Sequence, residues 1–212
     1  MARLVGAERL GRLAVTNLPT RWGLFRTQVF AWEGAYTRTN PQTALALCLG
    51  VVATGDVPLV RIHSQCLTGE LFGSLRCDCR DQLEFALCAI ARENRGILIY
   101  EHQEGRGIGL VAKLQAYALQ DRGLDTIEAN HALGFEADKR DFRLPAAVLR
   151  ELGVSRLRLM TNNPTKSRAL LEAGIDVISQ VACEVRPTEH SLAYLQTKKE
   201  RLGHALSLSG IE

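Results

Sequence analysis

The hydrophobic period of the chain first turns helical at Asp78, after a stretch of strands alone, and that order restricts the fold to a small set. Before it, residues 22–32 mix aromatic and β-branched side chains, 44–53 form an apolar run, and 57–63 follow a Gly-Asp turn, so all three stretches read as strands. From Asp78 onward apolar residues recur at helical offsets. Leu83, Leu87, Ile90 and Ala91 share one face, with Asp81, Glu84 and Arg92 elsewhere. Residues 96–101 then read as a short buried strand and 110–120 as a helix closed by Gly123. A second cycle predicts a helix over 145–152, a strand over 156–161, a helix over 165–173 and a strand over 176–182, with a last helix over about 189–206. Strands first and strand–helix alternation later predict a mixed β-sheet with flanking helices, of the α+β or mixed α/β class. The 212 residues suffice for a real core, expected as one domain over 13–207, between a loosely ordered Arg- and Gly-rich start (1–12) and a short tail (208–212).

Apolar residues make up 46% and charged ones 23%, which suits a soluble globular chain rather than a disordered or fibrous one. The apolar runs fall short of a bilayer span and the first residues lack a signal peptide's apolar stretch, so the expected address is the cytoplasm. In that reducing compartment six cysteines read as metal ligands plus buried apolar residues rather than disulfides. Cys48, Cys88 and Cys183 stand in apolar contexts and are expected in the core. A net charge of +3 is too mild to indicate nucleic acid.

The other three cysteines, Cys66, Cys77 and Cys79, are spaced Cys-x10-Cys-x-Cys. Fingers and ribbons use paired Cys-x2-4-Cys knuckles and a fourth ligand, so this spacing suggests zinc held by three protein ligands with a fourth place open for chemistry. Two alternatives stand beside it: a structural zinc completed by His63, and three unrelated thiols.

Four polar clusters fall where loops after strands carry function: 102–109, 128–131, 135–141 and 161–166. In the first, Gly105, Gly107 and Gly109 alternate where a dinucleotide fingerprint needs G-x-G-x-x-G, which excludes that reading. A position after a strand and at a helix start still suits an anion, with Arg106 adding a permanent charge. Around Thr161, Pro164 and Lys166 the pattern repeats, and a lysine in a first helical turn opposes the helix dipole unless an anion is bound. By spacing alone, the Asp138 to Asp141 stretch reads as a solvated charged turn.

Together the motifs HS-x-CLTG, RCDC, QEGRGIGL, YALQ, DT-x-EAN, LGF-x-AD-x-RDF and TNNP-x-K, spread over roughly residues 15–205, resemble GTP cyclohydrolase II. The resemblance implies that family's fold and its reaction: GTP and three waters give 2,5-diamino-6-hydroxy-4-(5-phosphoribosylamino)pyrimidine, formate and pyrophosphate, the opening step of riboflavin biosynthesis. It implies zinc for ring opening, Mg2+ with the triphosphate, and a homodimer. The family's zinc ligands fall on Cys66, Cys77 and Cys79. Its GTP contacts fall on Arg61, Ile62, His63, Ser64, Gln65, Gln82, Glu104, Gly105, Arg106, Thr126, Thr161 and Lys166. Its proton acceptor falls on Asp138, its nucleophile on Arg140, and a tyrosine tied to the ring chemistry on Tyr117. Glu104 is expected to pair with guanine N–H groups, and Arg140 to act either covalently or by neutralising charge at the α-phosphorus. Two positions depart from the family: Gln65 stands where a glutamate is usual, and Arg80 where a glycine is. The length predicts a stand-alone cyclohydrolase without a fused synthase. A relative with truncated chemistry and a non-catalytic GTP-binding module are the competing readings.

Overall fold

The computed structural model describes residues 9–36, 41–52, 57–136, 138–189 and 191–207. Strand β1 (Leu10–Thr20) and strand β2 (Gly23–Tyr36) form a hairpin whose two-residue turn is tied by the Thr20 hydroxyl, which donates to Gly23 O at 2.9 Å and accepts from Trp22 N at 3.1 Å. The hairpin therefore extends beyond the expected 22–32 strand, and β1 begins inside the stretch expected to be loose. β3 (Pro41–Leu49) pairs antiparallel with β2. It stops short of the expected residue 53 because Gly50 turns the chain at φ +67°, so close to Asn94 O that an added Cβ would lie 2.5 Å from it.

After β3 come β4 (Leu59–Ser64), α1 (Leu67–Glu70), α2 (Cys79–Glu93), β5 (Gly96–Glu101) and α3 (Gly109–Gln120). α4 (Thr126–Ala132), α5 (Arg143–Glu151), β6 (Arg156–Met160), α6 (Pro164–Glu172), β7 (Asp176–Val181) and α7 (Leu192–Leu202) complete the order. All seven strands join one sheet in the order β1-β2-β3-β5-β4-β6-β7, antiparallel from β1 to β5 and parallel through β5, β4, β6 and β7. The expected mixed sheet with flanking helices is what forms.

The central parallel strands β4 and β5 are buried on both faces, whereas the edge strand β7 is largely exposed. Val60, Ile62, Ile97 and Ile99 pack with Val148, Leu149 and Leu170 of α5 and α6, while Leu59 and Leu98 pack on the other side with Ala86, Leu87 and Ile90 of α2. Cys48 and Cys183 are core residues as expected, whereas Cys88 is only half-buried on α2. α4 forms where the 128–131 cluster is expected in a loop. In α4 an Asp-x-x-Glu capping box explains the helix: Asp125 accepts from the N–H groups of Ile127 and Glu128, and Glu128 accepts from Asp125 N. α7 is shorter than expected because Gly203, at φ 65°, closes it.

β4, β5 and β6 are mutually parallel, so the segments leaving them, from Gln65, His102 and Thr161 onward, emerge along one edge. A crevice beyond the carboxyl ends of parallel strands is where such sheets hold ligands.

Candidate active site

At that edge one cleft is lined by Cys66, Cys77 and Cys79 at one end and by Arg61, Arg106, Arg140 and Lys166 at the other. The sulfur atoms lie within 4.8 Å of one another, with Cys66 and Cys77 at 3.6 Å. Sulfurs at about 2.3 Å from a tetrahedral zinc stand about 3.8 Å apart, so the cluster has the size such an ion needs. Gly69 in α1 makes room for it, since a Cβ there would come 2.8 Å from the Cys77 sulfur and 3.2 Å from that of Cys66. The sulfurs share charge unevenly. Hydrogen bonds from Cys77 and Cys79, helped by Lys113, hold the Cys66 thiol far below its usual range, while sharing with Cys66 pushes Cys77 up to about 11 and Cys79 well above the usual thiol value. His63 does not complete the set: its Nε2 pairs with Glu70 Oε1 at 2.9 Å, and among the described residues only the three cysteines form a metal-sized group.

Several residues that sequence reasoning passed over hold this end in place. Glu70 also accepts from Cys66 N at 2.8 Å and from the Tyr100 hydroxyl at 2.7 Å. Lys113, buried on α3, donates to Cys66 Sγ at 3.1 Å and to Glu104 Oε1 at 2.8 Å. A lysine between the buried alanines Ala112 and Ala116 of α3 was the available signal. Glu104 lines the cleft, but it also accepts from Gly105 N at 3.0 Å and Leu67 N at 2.7 Å. With three of about four acceptor positions taken, it is less free to read guanine than its position in the sequence suggested.

The turn 104–107 places Arg106 in the left-handed region at φ 62°, between Gly105 at φ 61° and Gly107 at φ 88°. A non-glycine residue held there points to function. Its terminal nitrogens are buried with no protein partner. Lys139 N donates to Arg106 O at 3.0 Å, and Gln103 exchanges two 2.7 Å hydrogen bonds with the Asp141 backbone, so the 138–141 loop is clamped onto the turn. Lys139 and Asp141 are exposed, as a solvated turn would have them, whereas Asp138 and Arg140 are drawn inward. Arg140 is largely buried in the cleft and forks onto Asp138 at 2.9 and 2.5 Å. Burial pushes the Asp138 carboxyl up, but Arg140 outweighs it and holds it below the usual range; burial pulls the Arg140 guanidinium down, and Asp138 raises it past its usual value. Asp138 itself stands behind Arg140 rather than lining the cleft.

Lys166, buried, donates to Ile62 O at 2.7 Å; burial first, then the charges of Arg61 and Arg140, pull its pKa well below the usual. Ile62 reaches the site only through that carbonyl, because its side chain is in the core. Arg61 donates to Gln82 Oε1 at 2.6 Å and Met160 O at 3.1 Å, leaving its Nε without a partner. Ser64 donates to Glu101 at 3.0 Å, and Gln65 pairs with His102 Nδ1 at 2.9 Å. Gly105, Thr126, Thr161 and Tyr117 line the cleft, and burial raises the Tyr117 phenol well above its usual range. Arg80 turns away from the cleft toward Glu84, at 3.4 Å on the exposed face of α2. From α7 and the segment beyond it, Tyr194, Lys198 and His204 add a wall that the sequence did not announce.

The profile of the GTP cyclohydrolase II family matches residues 11–182. "GTP cyclohydrolase-2" of Enterobacter sp. (strain 638) is 49% identical over 199 residues, covering 94% of this chain and 99% of that protein. "Riboflavin biosynthesis protein RibBA" of Chlorobium phaeovibrioides is 48% identical over 198 residues, and this chain spans only 47% of its length. Among solved structures, the A. baumannii protein RibBX, a two domain 3,4-dihydroxy-2-butanone 4-phosphate synthase, aligns over 82% of this chain and 39% of its own at 21% identity and a TM-score of 0.41. The profile covers every residue of the thiol cluster and of the four-cation cluster, and the chain belongs to the GTP cyclohydrolase II family.

Proposed function

We propose that this chain hydrolyses GTP to 2,5-diamino-6-hydroxy-4-(5-phosphoribosylamino)pyrimidine, formate and pyrophosphate, as the opening step of riboflavin biosynthesis. One observation carries the reading: a metal-sized thiol cluster and a group of four basic side chains, two of them with buried nitrogens lacking a partner, face the same cleft. A nucleoside triphosphate has a base for one end and an anion for the other.

Cys66, Cys77 and Cys79 would hold zinc, which would supply Lewis acidity and acidify a water for opening the imidazole ring. Lys113 offsets part of the excess negative charge of three thiolates around a divalent ion. Tyr117, kept protonated by burial, donates toward the imidazole ring rather than removing a proton. Glu104 positions the 66–67 backbone beside the base, with one acceptor position left for a guanine N–H. Arg61, Arg106 and Lys166 hold the triphosphate with its Mg2+. Arg140 remains a guanidinium and neutralises charge as the bond to the α-phosphorus breaks, with Asp138 fixing its orientation. The high pKa of Arg140 favours this role over covalent attack.

β1 is an exposed edge strand with Leu13, Val15 and Leu18 facing solvent, which supports pairing with a second copy as a homodimer. Six free cysteines suit a reducing, cytoplasmic address, and no helix among the described residues is long and apolar enough to cross a membrane. The test is product analysis with zinc loaded and after chelation. Formate release should stop on chelation and return with zinc; formate release indifferent to chelation would overturn the metal assignment.

A further inference from the structure

The family profile ends at residue 182, but the cleft does not, because α7 and the segment after it close one side. α7 is held to the thiol loop by Lys198, whose Nζ lies 2.9 Å from Oδ1 of Asp78, the residue between Cys77 and Cys79. The segment beyond α7 is held to the third strand-end loop by Ala205 N, which donates to Asn162 O at 3.0 Å. Between these two anchors Tyr194 faces the cleft. Its ring has the Lys198 ammonium 4.4 Å from the centroid on the way to the metal loop, and the Arg106 guanidinium at 5.4 Å on the way to the anion end.

Arg106 needs such a neighbour. It stands on a strained backbone, and both terminal nitrogens are buried without a protein hydrogen-bond partner. An aromatic face attracts a guanidinium without consuming its N–H donors. A carboxylate in the same place would occupy those donors and cancel the charge.

We propose that Tyr194 is a positioning residue of the anion pocket, holding the Arg106 guanidinium in place by its ring face so that the free N–H donors meet a phosphate oxygen of the bound nucleoside triphosphate. This rests on the functional reading above, which puts the triphosphate at Arg106. The ring is what matters and the hydroxyl is not, and Tyr194 acts through Arg106 rather than on substrate.

The test is a double-mutant cycle on the zinc-loaded protein, reading the Kd of α,β-methylene GTP, whose phosphate chain resists cleavage, by rapid mixing with the recovered guanine ring checked to be intact. Tyr194→Leu should weaken binding about tenfold, and Tyr194→Phe should stay within about twofold of wild type. Tyr194→Met, which keeps apolar bulk without a ring face, should match the leucine variant and guards against a folding defect. In an Arg106→Met background, Tyr194→Leu should cost nothing further. Losses that multiply in the double variant, or a phenylalanine variant as weak as the leucine one, would overturn the proposal while leaving the functional reading standing. Wild-type protein that fails to bind the analogue would instead bring down the functional reading, and this proposal with it.

Discussion

The two ends of the cleft are incomplete in opposite senses. At the thiol end, three sulfurs are packed against Gly69 and fed by Lys113, and two of them hold protons that a cation would displace. At the other end, Arg61 and Arg106 bury nitrogens with no partner, and Lys166 is driven toward its neutral form by burial first and then by the charges of Arg61 and Arg140. One end lacks a cation and the other an anion. Buried groups left unsatisfied cost stability, so finding them paired across one cleft indicates a ligand that carries anionic charge to one end while the other end binds metal.

The largest expected effect separates the ends. Cys77→Ser should abolish zinc retention and lower formate release by more than about a thousandfold, while α,β-methylene GTP still binds through the cation end within about tenfold of wild type. Loss of both together would show that the ends are not independent. Next, Arg140→Met should lower pyrophosphate release by about 10²- to 10³-fold with zinc content unchanged. A guanylyl-protein adduct trapped on the wild-type protein and lost in Arg140→Lys would argue against the electrostatic role.

Lys166→Met sharpens the comparison in the other direction. The folded-state pKa of Lys166 is depressed, so the unfolded chain holds that proton more tightly and Lys166 costs stability at neutral pH, a cost that falls as pH rises toward the unfolded value. Removing the amine should raise Tm of the nucleotide-free protein by about 3 °C while weakening binding of the analogue. A fall in Tm would show that the hydrogen bond to Ile62 O outweighs the buried charge. The smallest effect concerns His204, which burial, then Lys198, Arg106, Arg140 and Lys166, bring down to about 3. Since the unfolded histidine takes up a proton near its ordinary value and the folded one does not, stability should fall as pH drops from 6.5 toward 3. His204→Gln should flatten the Tm–pH slope between about pH 6.5 and 5 by up to one proton; an unchanged slope would mean the unperturbed imidazole titrates in the fold.

Much of the parallel half was legible because its strands and helices carry their own periods. β5, β6 and β7 and helices α2, α3, α5 and α6 lie within a few residues of where apolar spacing puts them. α4 was legible in principle through its Asp125/Glu128 box but is too short to show a period. The site was legible where chemistry is local in sequence, as in Cys77 and Cys79 or Gly105 and Arg106. It was not where the partner comes from far away: Lys113 meets Cys66 across 47 positions and Lys198 meets Asp78 across 120. Nothing in a helical lysine reveals which buried anion it will face. Asp138 and Arg140 show the same limit, since their exposure was set by Gly107, where an added Cβ would lie 3.1 Å from the Lys139 backbone, and by the clamp from Gln103.

The central claim is that one cleft attacks both the ring and the phosphate of the same GTP. It is tested most directly by consuming a known amount of GTP with the zinc-loaded protein and quantifying both small products. The account predicts one formate and one pyrophosphate for each GTP lost; pyrophosphate without formate, or formate without pyrophosphate at complete conversion, would contradict it.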